Sequence, residues 1–297
     1  MEYGTPAIGS VTVGFDTMLF LSQNADGLGP VMMVTGTQSI PISNRALDTT
    51  LSRYAATTGI SDCVAFVIKE NGLIFYRMNF TSSNHTFVYD LTLSNPENEA
   101  TKYWHEEEVL GGSRHLAQTH AYFNGVNYVG DYKSPLLYVI SPIYYTNNGQ
   151  KIRRMRITRE FVPPGYQRIR VDRLQIDLLQ GNIAIENSLL QAIPILTQSN
   201  EYVEAENSYI LLTEQEEDIG NAQSIYVFLS ISKDGGQTYG FKQSAPMGNL
   251  GQRTFRTLWR KLGTTVRGQG FVAKFEFTSS IPFIILGASW ATEVLPE

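Results

Sequence analysis

Ser232-Lys-Asp-Gly-Gly-Gln-Thr-Tyr239 has the composition of a tight turn between two strands. It follows a strand-like run, Ile225-Tyr-Val-Phe-Leu-Ser-Ile231, and fits the Asp-box pattern Ser-x-Asp-x-Gly-x-Thr-aromatic, which closes a hairpin. Asp234 is placed to accept hydrogen bonds from nearby backbone N–H groups, and Gly235 and Gly236 tolerate positive φ. Tyr239 then returns to the packed face. Such boxes sit mainly on β-propeller blades and shape a turn, so Ser232, Asp234, Gly236 and Thr238 are read as structural and not catalytic.

Two more strands are expected beyond this turn. Phe271-Val-Ala-Lys-Phe-Glu-Phe277 alternates like a half-buried strand, and Ile281-Pro-Phe-Ile-Ile-Leu286 is apolar enough to be covered on both faces. Upstream, the same theme recurs. Met18–Ser22 and Val31–Val34 flank a turn, Cys63–Ile68 and Leu73–Tyr76 flank Asn71-Gly72, and Thr119–Phe123 and Val126–Val129 flank Asn124-Gly125. Thr86–Asp90 and Leu136–Ile140 add single strands, and Lys102–Glu106 reads as the start of another blade. One short helix is expected after Ser43 or Asn44, with Leu47, Leu51, Tyr54 and Ala55 on one face. The recurrence of short antiparallel strands predicts an all-β, propeller-like fold of about four blades. Residues 1–221 would form the blades, and 222–297 a C-terminal hairpin module.

Composition agrees with strands and tight turns. Of 297 residues only 17% are charged, against 25 Gly, 16 Tyr and 15 Phe. A net charge of −5 argues against a general nucleic-acid binder. The single cysteine, Cys63, excludes an intrachain disulfide and a cysteine zinc site, and its apolar neighbours make it a core residue. No apolar run approaches 18 residues and no export signal is visible, so no membrane insertion is expected.

Several motifs resemble one viral family. They are "S-x-D-G-G-x-T" from Ser232, "W-R-x-L-G" from Trp259, and the closing "P-F-x-I-L-G-A" from Pro282. Others are "Y-F-x-G-x-x-Y-V-G-D" from Tyr122, "Y-T-x-N-G-x-x-I-R-R-x-R" from Tyr145 and the Asp62–Tyr76 run. Together they are similar to the packaged-DNA stabilisation proteins of short-tailed bacteriophages, which form the tail hub or nozzle below the portal. The likeness spans about Phe15 to Trp290. It implies a structural virion protein, assembled in the host cytoplasm, that extends the DNA conduit and retains packaged DNA until ejection. It also implies a homo-oligomeric ring, a hexamer, in contact with portal, adaptor and other tail proteins. Four blades are fewer than an ordinary propeller ring holds, so a shortened relative or a ring completed in another way is expected.

Charge is uneven. Lys151–Arg173 holds eight basic residues, and alternation would put Arg168 and Arg170 opposite Ile169 and Val171. A second group contains Arg253, Arg256, Arg260, Lys261 and Arg267. Arg153, Arg154, Arg156, Arg168, Arg170, Arg253, Arg256 and Arg260 are the candidates for facing double-stranded DNA without reading its sequence, or for an inter-subunit contact. The acid-rich 201–218 segment offers seven carboxylates as a counterpart.

No catalytic constellation is present: no Gly-x-Ser-x-Gly elbow, Walker loop, dinucleotide fingerprint or His-Glu-x-x-His. His105 with Glu106–Glu108, and His115 with His120, lack metal-ligand spacing on a defined element. No catalytic residue, metal or cofactor is therefore assigned. The rival reading is a glycan-binding or sialidase-like propeller, for which Tyr132, Tyr144 and Tyr145 are the candidate aromatic platform.

Overall fold

The computed structural model describes residues 3–25, 27–162, 165, 167–180, 193–194, 212–213, 226–247, 255–278 and 283–295. Two compact units divide at Ile152/Arg153.

The first unit is a succession of antiparallel sheets, each in chain order. β1 (Thr12–Gly14), β2 (Thr17–Asn24), β3 (Gly27–Thr35) and β4 (Gln38–Pro41) form one, and α1 (Arg45–Thr57) follows it. β5 (Val64–Glu70), β6 (Leu73–Phe80), β7 (His85–Asp90) and β8 (Trp104–Glu107) form the second. β9 (Ala117–Phe123), β10 (Val126–Asp131) and β11 (Leu137–Ile140) form the third, and β12 (Thr146–Asn147) with β13 (Gln150–Lys151) is a final hairpin. Three connections are Asn-Gly pairs with both residues at positive φ: Asn71 (50°) and Gly72 (83°), Asn124 (47°) and Gly125 (80°), Asn148 (48°) and Gly149 (75°). That geometry matches the right-handed twist of the flanking strands, and Asn and Gly reach it at least cost.

The first sheet packs against the second, and the second against the third. Leu19, Leu21 and Val31 of the first meet Tyr76, Met78 and Tyr89 of the second, with Leu47, Leu51 and Tyr54 of the helix in the same core. Burying one such side chain contributes about 2 kcal/mol. The Tyr76 hydroxyl, in the middle of this core, donates to the Ser10 carbonyl at 2.8 Å. The opposite face of the second sheet presents Phe66 and Ile68 to Ala117 and Val129 of the third. At the helix start, Asn44 accepts the Leu47 N–H at 2.9 Å. Ala55, expected on the packed face, is exposed.

The second unit is a pair of sheets enclosing one core. β14 (Arg153–Ile157), β15 (Ile169–Gln180), β16 (Ile193–Pro194), β17 (Leu212–Thr213), β18 (Tyr226–Ser232), β19 (Gln243–Pro246), β20 (Phe255–Thr264), β21 (Val272–Thr278) and β22 (Phe283–Val294) follow in order. One sheet runs β14-β21-β18-β19 and the other β20-β15-β22, while β16 and β17 pair with each other. Leu174, Ile176 and Trp259 from the three-stranded sheet pack on Val227, Leu229, Phe275 and Phe277 from the four-stranded one. Alternation along each strand supplies both inner faces, as a sandwich requires.

Three expectations differ from this arrangement. The units part at Ile152/Arg153 and not at 221/222, because β14 pairs with β21 and β15 lies between β20 and β22. Long-range pairing of this kind leaves no local signal. Lys102–Glu106 does not open a new blade; β8 is the fourth strand of the second sheet, paired to β7. The last two strands exchange their expected environments. β21 is central and buried along most of its length, with Glu276 tied to Lys242 and to Lys274. β22 flanks only β15 and exposes Ile284, Ile285 and Leu286. The bulge opposite Asp177/Leu178 breaks its alternation there. Among the described residues no helix is long and apolar enough to cross a membrane.

Candidate functional site: the turn and the basic strands of the second unit

The Ser232–Tyr239 stretch leaves β18 and connects it to β19. Ser232 Oγ donates to Asp234 Oδ1 (2.6 Å) and accepts the Gly236 N–H (2.7 Å). The Asp234 carboxylate accepts the Thr238 N–H (2.9 and 3.1 Å) and the Thr238 hydroxyl (2.5 Å). Gly235 and Gly236 have φ of 70° and 97°. The Ser232 hydroxyl first, then Thr238, hold the Asp234 carboxyl down at about 2. Ser232, Asp234, Gly236 and Thr238 thus form one hydrogen-bonded turn. Tyr239 lies half-buried beneath the Lys274 ammonium, 4.4 Å from its ring centroid.

The candidate arginines fall on both sheets. Arg153, Arg154 and Arg156 belong to β14, where the first two are half-buried and Arg156 is exposed. Arg168 is exposed just before β15, and Arg170 is exposed between buried Ile169 and Val171, as alternation predicts. Arg170 is not free. It pairs with Asp172 (2.8 Å) and Glu293 (2.5 Å). Arg256 reaches Asp177 at 3.7 Å, and Arg260 stands exposed on β20. Arg253 and the acid-rich 201–218 run lie outside the described residues. The structure therefore gathers Arg170, Arg256 and Arg260 on one sheet and leaves Arg153, Arg154 and Arg156 on the other.

Two charged clusters in the first unit escaped the sequence reading. Arg77 is buried on β6, on the face that meets the third sheet, between Glu70 (3.3 Å) and Glu107 (3.1 Å). Burial works against a charge on Glu107, but Arg77 with His105 and His115 outweighs it and holds that carboxyl well below its usual range. Burial pushes His115 down, with Glu107 opposing. Arg114 is fully buried. It donates to Thr81 Oγ1 (2.5 Å), Gln118 Oε1 (2.6 Å), the Ala117 carbonyl (3.0 Å) and the His115 carbonyl (3.2 Å). Its guanidinium lies 4.0 Å over the Tyr132 ring. The only hint of these ties is an arginine at an inward position of an apolar strand, Phe75-Tyr-Arg77-Met.

The remaining polar candidates are dispersed. His120 stacks on Phe66 and meets Asn127 at 3.0 Å, while His85 contacts Glu106. Among the described residues no three His, Cys, Asp or Glu converge as a metal site. One face of Tyr132 is covered by Arg114, whereas Tyr144 is exposed and Tyr145 half-buried.

Antiparallel meanders followed by a two-sheet sandwich make this an all-β protein with one short α-helix. Two family models match the chain. One, described as Bacteriophage P22 Gp10, beta-propeller, covers residues 1–144, and the other, described as Bacteriophage P22 Gp10, beta-sandwich, covers 198–293. The chain belongs to the bacteriophage P22 Gp10 family, whose members are phage structural proteins that stabilise packaged DNA. A search of curated proteins returned no match.

Proposed function

We propose that this protein is a tail hub or nozzle component that extends the DNA conduit below the portal and retains packaged DNA until ejection. The observation that supports this most is the order of its parts, a propeller-type unit followed by a sandwich, in the family of phage stabilisation proteins. Retention in this reading is steric and comes from assembly, so the protein acts as a structural part and not as an enzyme. It works as a homo-oligomeric ring, a hexamer, against the portal, adaptor and other tail proteins. Apolar side chains on and beside the third sheet support association: Tyr122, Phe123, Leu137, Ile143 and Tyr144 are all more than half exposed.

The test is the mass of the purified protein in solution, alone and mixed with tail-less, DNA-filled particles, followed by electron microscopy. Rings, or density capping the portal vertex, are expected. A monomer indifferent to the particles would overturn the reading and turn attention to glycan binding.

A further inference from the structure

The outer face of the β20-β15-β22 sheet carries an arrangement that its own fold does not explain. Arg173 and Arg260 are direct cross-strand neighbours, in the row next to the inward pair Leu174 and Trp259. Both are exposed. Directly opposed side chains on adjacent strands stand about 5 Å apart at Cβ, and like charges there destabilise the pairing. Lys261, exposed beside Arg260 at the bulge and held at a φ of 57°, adds a third cation.

Nearby acids do not relieve this cluster. Asp172 and Glu293 are engaged by Arg170, and Asp177 is shared by Arg256 and the Gln175 amide. Among the described residues, neither Arg173 nor Arg260 has an ion-pair partner. The register on the other side is Arg173 opposite Ala291, Gln175 opposite Ser289 and Asp177 opposite Gly287. These partners are small, so no bulky side chain directly across on β22 stands against Arg173.

We propose that Arg173, Arg260 and Lys261 form a phosphate-contacting patch for the backbone of duplex DNA. This rests on the conduit reading above and supplies it with a contact. Two adjacent guanidinium forks suit the non-bridging oxygens of one phosphate, and they carry no base information. The patch is small and framed by neutralised pairs, so it holds DNA weakly and lets it slide. An acidic protein surface is the competing occupant, and the test separates the two.

The full-length protein is titrated with a fluorescent random-sequence 30-base-pair duplex over a series of salt concentrations, with oligomeric mass and Tm measured in parallel. For R173A/R260A we expect about tenfold weaker binding at low salt, and a salt slope smaller by about two. Mass should be unchanged, and Tm unchanged or higher because a repulsion is removed. R173K/R260K should retain most of the affinity. Wild-type protein that does not bind the duplex at low salt, or an R173A/R260A slope equal to wild type, would overturn the proposal. Loss of oligomeric mass with unchanged DNA affinity would also overturn it and assign the patch to a protein interface. Either result leaves the conduit reading to be judged separately, by particle capping.

Discussion

At the scale of single residues, the first unit depends on an ion group that contributes only while it is complete. Arg77 is buried between Glu70 and Glu107, and removing the cation would leave two carboxylates facing each other. Breaking a buried pair costs more than the pair contributes, because the orphaned charge has lost its water. Arg77→Met should therefore destabilise the protein by about 3 kcal/mol, measured by urea denaturation. A loss below about 1 kcal/mol would mean that solvent reaches the two carboxylates and that the group is peripheral.

Elements show how much was legible in the sequence, and why. The Asn-Gly hairpins at Asn71 and Asn124, the Asn44 cap and the Ser232–Tyr239 turn were readable because their chemistry is local: each requires particular residues at adjacent positions. The placement of β21 and β22 was not. Burial of a strand depends on which strands flank it, and β14, more than 100 positions earlier, makes β21 central. The arginines illustrate the same limit. Alternation put Arg168 and Arg170 on an outer face, but only the register shows that Arg173 opposes Arg260 while Arg170 is occupied by Glu293. Arg77 stood out only as an arginine within an apolar strand and Arg114 gave no readable signal, since burial of an arginine depends on partners supplied from distant strands and loops. The turn itself is open to a direct test. Asp234→Ala removes the acceptor of both Thr238 hydrogen bonds and the Ser232 hydroxyl's partner, so the β18/β19 connection should loosen and Tm fall by a few degrees. An unchanged Tm would mean that Gly235 and Gly236 alone set the turn.

On the scale of the whole molecule, each unit has its own apolar core, and their titrating groups differ. All four histidines, His85, His105, His115 and His120, lie in the first unit. His115 is held below its ordinary 6.5, so the unfolded chain takes up a proton that the folded chain refuses. Its stabilising contribution is full above pH 6.5 and is lost as pH falls toward the lower folded value. Glu107 acts in the same direction at lower pH, with its contribution present above 4.5 and lost below it. Among the described residues of the second unit Asp234 is the displaced acid, and its contribution is present above 3.8 and fades toward about 2. Calorimetry between pH 7.5 and 5.5 should therefore show two transitions, of which only the first unit's moves down as the buffer is acidified. Arg77→Met should lower that same transition, and Asp234→Ala the other, which assigns each without cutting the chain. A single transition that responds to both substitutions would mean that the two cores melt as one cooperative body, and that the division at Ile152/Arg153 is not a boundary in stability.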